Sequence, residues 1–346
     1  MKLPDFFGLD VSLNSIKIAQ VQAESTGKYN ILALGREDVG KNFLLLKDEQ
    51  DKVNFANQIK RLRDNLRITT NKVVAALPES VIFSKILTIP ILEEEKLEQL
   101  LYFRAKNELP VPVDTVQLDH IPISIKEIDG KKVQEILLIA APRNFVNLYL
   151  EVLSKVNMEL LALETESIAA SRVFSLNKDI PESIMIIDFG ALTITVSVIK
   201  GKSIVFSQNI NTGSSTLSQA IARDYNLNYS QAEQYKKMYG LTNQIGGKIF
   251  NSINPVMQII TNEINKIINY ININLVEFIP QKYYLIGQGS LLPGLSEYFV
   301  RALGKKIEIF DPIATSFTYT DEVKADLTKN SGLGYVVATG LALKAS

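Results

Sequence analysis

The chain has 346 residues, with 37 Lys and Arg balanced by 37 Asp and Glu, one His, no Cys and no Trp, a length that leaves room for two or three domains. Without Cys, and with a single His, it has no disulfide framework, thiol nucleophile, zinc cluster or iron–sulfur ligation, so any metal must be held by oxygen, as Mg2+ or Ca2+ is. A formal charge of zero leaves no cationic excess to displace counterions, which argues against nucleic acid as a partner.

The chain opens MKLPDFFGLDVS, where Pro4, Asp5 and Asp10 interrupt the apolar stretch a signal peptide needs. Residues 6–21 predict an apolar strand ending in Asp10, a turn of small and polar residues, and a second alternating strand. Residues 73–78 read as a buried strand ended by Pro78, and 85–90 as another short strand. Residues 93–109 predict a helix, with Glu93, Glu94 and Glu95 at its positive end and Pro110 and Pro112 stopping it. Strands over 116–125 and 133–142, a helix over 145–156, a strand over 160–163 and a helix over 166–174 follow. The stretch 80–142 is therefore expected to form a small strand–helix–strand–strand subdomain inserted into the first half.

Residues 184–199 repeat the opening plan, with an apolar strand ending in Asp188, then Gly190, Ala191, Leu192 and Thr193, then an alternating strand. The two Asp positions lie about half a chain apart, which predicts a duplicated fold with facing halves; two hairpins alike by chance are the alternative. A helix is expected over 214–224, and another at Ser230, with Ser230 and Glu233 as a capping pair and Gly240 as the stop. Asn254-Pro255 is expected to open a long helix whose stripe Val256, Ile260, Ile264, Ile267, Ile271 and Leu275 reads as core packing. Residues 283–286 form a buried strand entering Gly287-Gln288-Gly289-Ser290, and 291–294 lead into a further helix. The apolar tract 332–343 is too short to cross a bilayer, so the chain is read as cytoplasmic, with any membrane link made through a partner.

A turn rich in Ser, Asn, Thr and Gly directs backbone N–H groups inward and makes a nest for phosphate oxygens. Two such turns on facing halves would grip a polyphosphate from both sides. Asp10 and Asp188, at strand ends, would hold Mg2+ through its waters, and Lys17 would reach a phosphate as a point charge. Gly287 and Gly289 allow the backbone to approach a base or ribose. Each has a plainer reading: Lys17 as a solvated strand charge, Glu233 as a helix-capping acid, and His120 as an ordinary strand residue.

The order of these segments resembles the actin/Hsp70/sugar-kinase superfamily. Within it, the chain resembles the PilM family, actin-like proteins of type IV pilus machines related to the cell-division protein FtsA. FFGLDVSLNSIKIAQVQ matches the first phosphate hairpin, and IIDFGALTITVSVIKGKSIVFSQNINTGSSTLSQAIA the second. YSQAEQYKKMYG matches the ribose- and adenine-contacting helix, YLIGQGSLLPGLSEYF the adenosine loop, and GLGYVVATGLAL the C-terminal helix.

The resemblance implies an α/β fold: a duplicated actin-like, ribonuclease H-like architecture with two lobes around a nucleotide cleft. The first lobe would span 1–175, with its inserted subdomain near 80–142. The second would span 176–346, with a C-terminal helix near 332–344 returning to the first. It assigns Asp10, Ser12, Leu13, Asn14, Ser15 and Lys17 to one phosphate loop and Asp188, Gly190, Ala191, Leu192, Thr193 and Gly213 to the other. Glu233 and Lys236 match the ribose and adenine contacts, and Gly287, Gln288, Gly289, Ser290 and Leu292 the adenosine loop. Glu164 or Glu166 lies where the superfamily's first connecting helix can carry a water-positioning acid. Ser12 stands where the family usually has Gly, and Gln288 where relatives have a second loop glycine.

The implied cofactors are ATP and Mg2+, with at most slow ATPase activity. The implied function is an ATP-binding scaffold of a type IV pilus or related type II secretion inner-membrane assembly complex. The implied partner is the cytoplasmic N-terminal tail of a PilN-like inner-membrane protein, with other pilus assembly proteins engaged indirectly. The implied location is the inner face of the cytoplasmic membrane, without direct insertion. An FtsA-like filament former and a sugar or acetate kinase are the competing readings; the first lacks its amphipathic tail here, and no acceptor-site motif marks the second.

Overall fold

The computed structural model describes residues 5–12, 15–25 and 27–344. Strands β1 (Phe7–Val11), β2 (Ser15–Ala23) and β3 (Tyr29–Asp38) form an antiparallel meander. Helix α1 (Glu49–Asn65) begins where the Asp48 side chain accepts the amides of Gln50 and Asp51. Strand β4 (Lys72–Leu77) then joins β1 in parallel. Strand β5 (Phe83–Pro90), helix α2 (Glu94–Glu108), and strands β6 (Val116–Ile128) and β7 (Lys131–Pro142) build a separate sheet ordered β5-β7-β6. Helix α3 (Arg143–Ser154), strand β8 (Glu159–Thr165) and helix α4 (Glu166–Phe174) complete the first half.

The second half repeats the meander in β9 (Ser183–Phe189), β10 (Ile194–Lys200) and β11 (Ser203–Ile210). Helices α5 (Ser214–Tyr225), α6 (Tyr229–Tyr239) and α7 (Lys248–Asn274) follow. Strand β12 (Lys282–Ile286), helix α8 (Leu295–Leu303) and strand β13 (Ile307–Ile309) come next, with β12 parallel to β9. The chain closes with α9 (Pro312–Ser316), β14 (Phe317–Tyr319), α10 (Asp321–Asn330) and α11 (Val336–Ala342).

One sheet runs β14-β3-β2-β1-β4-β8 and the other β11-β10-β9-β12-β13, so the same five-strand plan occurs twice and β14 extends one edge. This is the duplicated α/β plan that the paired hairpins predict, and it agrees with the two-lobed, actin-like fold that the resemblance implies. In each sheet the Asp-bearing strand is central, flanked by an antiparallel and a parallel neighbour. Helix α11 packs on β1, β2, β4 and α4. Among the described residues no helix is long and apolar enough to cross a membrane.

Two local expectations are corrected. Helix α7 begins at Lys248, so Pro255 lies inside it rather than at its start. A mid-helix Pro costs about 3 kcal/mol, but Ile249 and Ile253, before the Pro, are buried on the same stripe. Burying two such side chains contributes about 3–6 kcal/mol, enough to carry the helix through. The capping box of α6 is formed by Asn228 and Gln231, not Ser230 and Glu233: the Asn228 side chain accepts the Gln231 amide at 2.9 Å, and Gln231 accepts the Asn228 amide at 3.2 Å. That releases Glu233 for another pairing.

Candidate functional site

Strand β1 brings Asp10, buried, opposite Lys17 on β2, where the Lys17 Nζ lies 2.8 Å from the carboxylate. The Ser12 amide donates to the Ser15 carbonyl at 2.9 Å, and the two hydroxyls lie 2.8 Å apart. Ser12 thus closes the turn with its side chain as well as its backbone. Leu13 and Asn14, assigned to the same loop, lie outside the described residues.

The second hairpin is knitted to α5. The Gly190 amide donates to the Thr193 carbonyl at 3.0 Å, and the Ser214 and Ser215 amides donate to the Gly190 and Ala191 carbonyls at 3.0 and 2.8 Å. A Cβ at Gly213 would stand 2.5 Å from the Ala191 carbonyl oxygen, so only Gly allows this approach. Gly287 has φ of +81°, and a Cβ there would meet the Asp188 carboxylate at 2.2 Å. The loop after β12 is therefore pressed against the acidic end of β9.

Both hairpins and this loop open onto one cavity of about 730 Å³ between the lobes. Asp10, Ser12, Ser15 and Lys17 line one side; Asp188, Gly190, Ala191, Leu192, Thr193, Glu233, Lys236, Gly287, Gln288, Gly289 and Leu292 line the other. Gly213 and Ser290 stand behind the wall, the Ser290 hydroxyl bonded to the Gly287 carbonyl at 2.6 Å. The two glutamates separate: Glu166, at the start of α4, lines the cavity, whereas Glu164 pairs with Arg172 at 2.6 Å and with Lys344. The cavity also takes in residues that the sequence did not single out, among them Arg36 and Asp38 of β3, Pro78 and Ser80 after β4, and Lys237 of α6. Lys237 lies in the stretch YSQAEQYKKMYG beside Lys236, a signal that could have found it, whereas Arg36, Asp38 and Ser80 come from segments with no motif.

The charges are unevenly satisfied. Burial pushes the Asp188 carboxyl up to about 6 despite the nearby Lys17 ammonium, with Asp10 adding to the rise. Burial holds Glu166 well above the ordinary carboxyl range, and Asp10 and Asp188 push it further. Its carboxylate accepts the Glu79 amide at 3.1 Å. Asp10 lies near enough to raise the pKa of both Asp188 and Glu166, and Asp188 that of Glu166, with Lys17 the basic group beside them, so this end of the cavity is acidic. All its candidate ligands are carboxylate oxygens, the donors a hard cation prefers. Among the described residues no three His, Asp or Glu side chains lie close enough together to cage a metal ion.

Lys236 is buried, with its Nζ 2.7 Å from Glu233 and donating to the Ser214 carbonyl at 2.9 Å, while the Ser218 hydroxyl donates to Glu233. Burial lowers the Lys236 pKa, opposed by Glu233. The pair ties α6 to the start of α5, so Lys236→Ala is expected to lower stability by about 1–3 kcal/mol, less than a fully buried pair because Glu233 keeps some solvent contact. An unchanged urea midpoint would show that the lysine is dispensable to this junction.

The comparisons agree with this architecture. A chain of a solved "PilM-PilN type IV pilus biogenesis complex" matches with a TM-score of 0.85 at 22% identity, covering 98% of both chains. The ethanolamine utilization protein EutJ from Carboxydothermus hydrogenoformans matches at 0.56 and 17% identity, covering 97% of this chain and 88% of that one. MreB 5 of Spiroplasma citri, solved bound to AMPPNP, matches at 0.52 and 16% identity, over 97% and 94%. At these identities the likeness concerns the fold. The family model described as type IV pilus assembly protein PilM matches residues 8–346, and the chain therefore belongs to the PilM family of type IV pilus assembly proteins.

Proposed function

We propose that the chain is an ATP-binding scaffold of a type IV pilus inner-membrane assembly complex that captures the cytoplasmic N-terminal tail of a PilN-like membrane protein. The observation that carries the nucleotide reading is the meeting of Asp10 and Asp188, from equivalent hairpins, on one interlobe cavity. Asp10 and Asp188 would hold Mg2+ through its waters, and bound Mg2+ would offset the charge of the phosphates. Lys17 would exchange part of its pairing with Asp10 for a phosphate oxygen. The hairpin residues Ser12, Ser15, Gly190, Ala191, Leu192 and Thr193 would surround the phosphates. Glu233, Lys236 and the loop 287–292 would bound the nucleoside, and Glu166, rather than Glu164, has the position to orient a water.

The partner reading rests on family membership and on the solved PilM-PilN complex. An extended tail lying between the subdomain near 80–142 and the first lobe would gain backbone hydrogen bonds and side-chain pockets. The protein would then sit peripherally at the inner face of the cytoplasmic membrane through that tail. We take the lobes to divide near 175/176, each side of the cleft contributing one phosphate hairpin.

Nucleotide touching both lobes can favour closure only by binding the closed form better, and by linkage it would then change tail affinity. Titration with ATP is expected to show Mg2+-dependent binding that Asp10→Ala abolishes, and the tail peptide is expected to bind with different affinity with and without Mg-ATP. Equal peptide affinities would leave a static scaffold, and Mg2+-independent binding would remove the metal role of Asp10.

A further inference from the structure

We infer that the inserted subdomain, although it interrupts the first half of the chain, moves with the second lobe. The space between it and the first lobe then changes width when the cleft closes. Strand β11 is the free edge of the second sheet, and such an edge needs cover. The cover comes from β5, β6 and the turn Glu79–Val81, together with α4 and α7, all of which pack against β11. A bulge in β6 between Pro122 and Ser124 re-aims Ile123. Ile123 packs against a core made of second-lobe residues, among them Met185, Ile187 and Val205. Beyond the bulge, Lys126 pairs with Glu135 at 2.7 Å and with Glu277, and lies 5.4 Å from the centre of the Phe278 ring.

At the root of the subdomain, Glu79 is 7% exposed, and its carboxylate accepts the Ser167 amide at 3.1 Å. The Ser167 hydroxyl also donates to that carboxylate, and the turn Glu79–Val81 packs against β11, so the root lies between α4 and the second-lobe edge. Attachment to the first lobe is of another kind. Among the described residues no ion pair joins residues 83–140 to the first lobe. Apolar contact with that lobe runs through the root residues Val81, Ile82 and Ala141. It also runs through Leu137 and Ile139, which share a core with Ala170, Val173 and Phe174 of the first lobe and with second-lobe residues. Arg143 of α3 also donates to Gln117 at 3.0 Å. The two chain crossings would then serve as the hinge, with Ile123, the Lys126–Glu277 ion pair and the Lys126–Phe278 contact holding the far side to the second lobe. This regulation rests on reading the cleft as a nucleotide site and the subdomain as part of the tail-binding groove.

The absence of Cys makes the test direct, because labels go only where Cys is introduced. Lys60→Cys on α1, Asn107→Cys on α2 and Asn262→Cys on α7 are exposed positions that report pairwise distances by energy transfer. On adding Mg-ATP, the 60–107 and 60–262 distances are expected to change while 107–262 stays constant. A 107–262 distance that changes with a constant 60–107 distance would overturn the inference. Calorimetry on the same variants separates the two ideas, since absence of ATP binding defeats the nucleotide reading alone. Hydrogen exchange then decides without nucleotide. Ile123→Ser is expected to speed exchange of β11 amides about tenfold and leave β1 and β2 unchanged. Unchanged exchange in β11 would mean the subdomain does not brace that edge.

Discussion

Asp188→Asn is expected to stabilise the ligand-free protein at pH 7.5 while weakening Mg-nucleotide binding about 10- to 100-fold. The first half follows from the carboxyl being raised from 3.8 to about 6 by burial. A group whose pKa is higher folded than unfolded binds its proton more tightly in the native state. Its favourable contribution is complete below the unfolded value and is lost as pH rises toward 6. Near neutrality the ionised Asp188 is therefore a cost, which removal of the charge relieves by about 1–3 kcal/mol, allowing for water in the cavity. The loss of affinity corresponds to about 1.5–3 kcal/mol for a charge-assisted contact. Urea midpoints at pH 4 and pH 7.5 for both proteins, with nucleotide titrations alongside, check the two signs. Wild type should lose stability relative to the variant across that window. A variant that is less stable at pH 7.5 and binds nucleotide normally would make Asp188 a structural residue.

Gly340→Ala is expected to destabilise the protein by about 2–3 kcal/mol, although Ala is favoured over Gly in a helix by about 1 kcal/mol. Helix α11 lies so close to α4 that a Cβ at Gly340 would fall 1.8 Å from the Ala169 carbonyl oxygen. On the neighbouring side, a Cβ at Gly8 of β1 would fall 2.1 Å from the Ala338 carbonyl oxygen. Backbone is being packed on backbone, so no side chain can swing aside to make room. The Gly340 carbonyl also accepts from Arg172 at 3.0 Å, and Arg172 pairs with Glu164, so displacement of α11 would disturb that network as well. Val336 and Val337 of the same helix line the cavity, so nucleotide affinity should fall together with stability. Gly40→Ala is the control, since a Cβ there meets nothing within 4 Å. If both substitutions shift the urea midpoint equally, close packing of α11 is not what holds it.

Glu164 and Glu166 show how far sequence reading reaches. Two residues apart across the end of β8 and the start of α4, they present the same chemistry and nearly the same local pattern. One ends in the cavity and the other on Arg172 and Lys344, a difference created by where the C-terminal segment returns. Pro255 makes the same point for secondary structure. Its local cost predicts a helix start, and burial of Ile249 and Ile253 against the second-lobe core overrides it.

From the sequence alone came the two hairpins, the acids at their strand ends, the glycine loop after β12 and the duplicated α/β plan. These depend on alternation, turn chemistry and backbone freedom, which act over a few neighbouring residues. Only tertiary structure decided that Arg36, Asp38, Ser80 and Lys237 share the cavity, that Glu166 rather than Glu164 faces it, and that the inserted sheet covers β11. Those outcomes depend on contacts between segments far apart in the chain, where burial and charge pairing choose among positions that look alike locally.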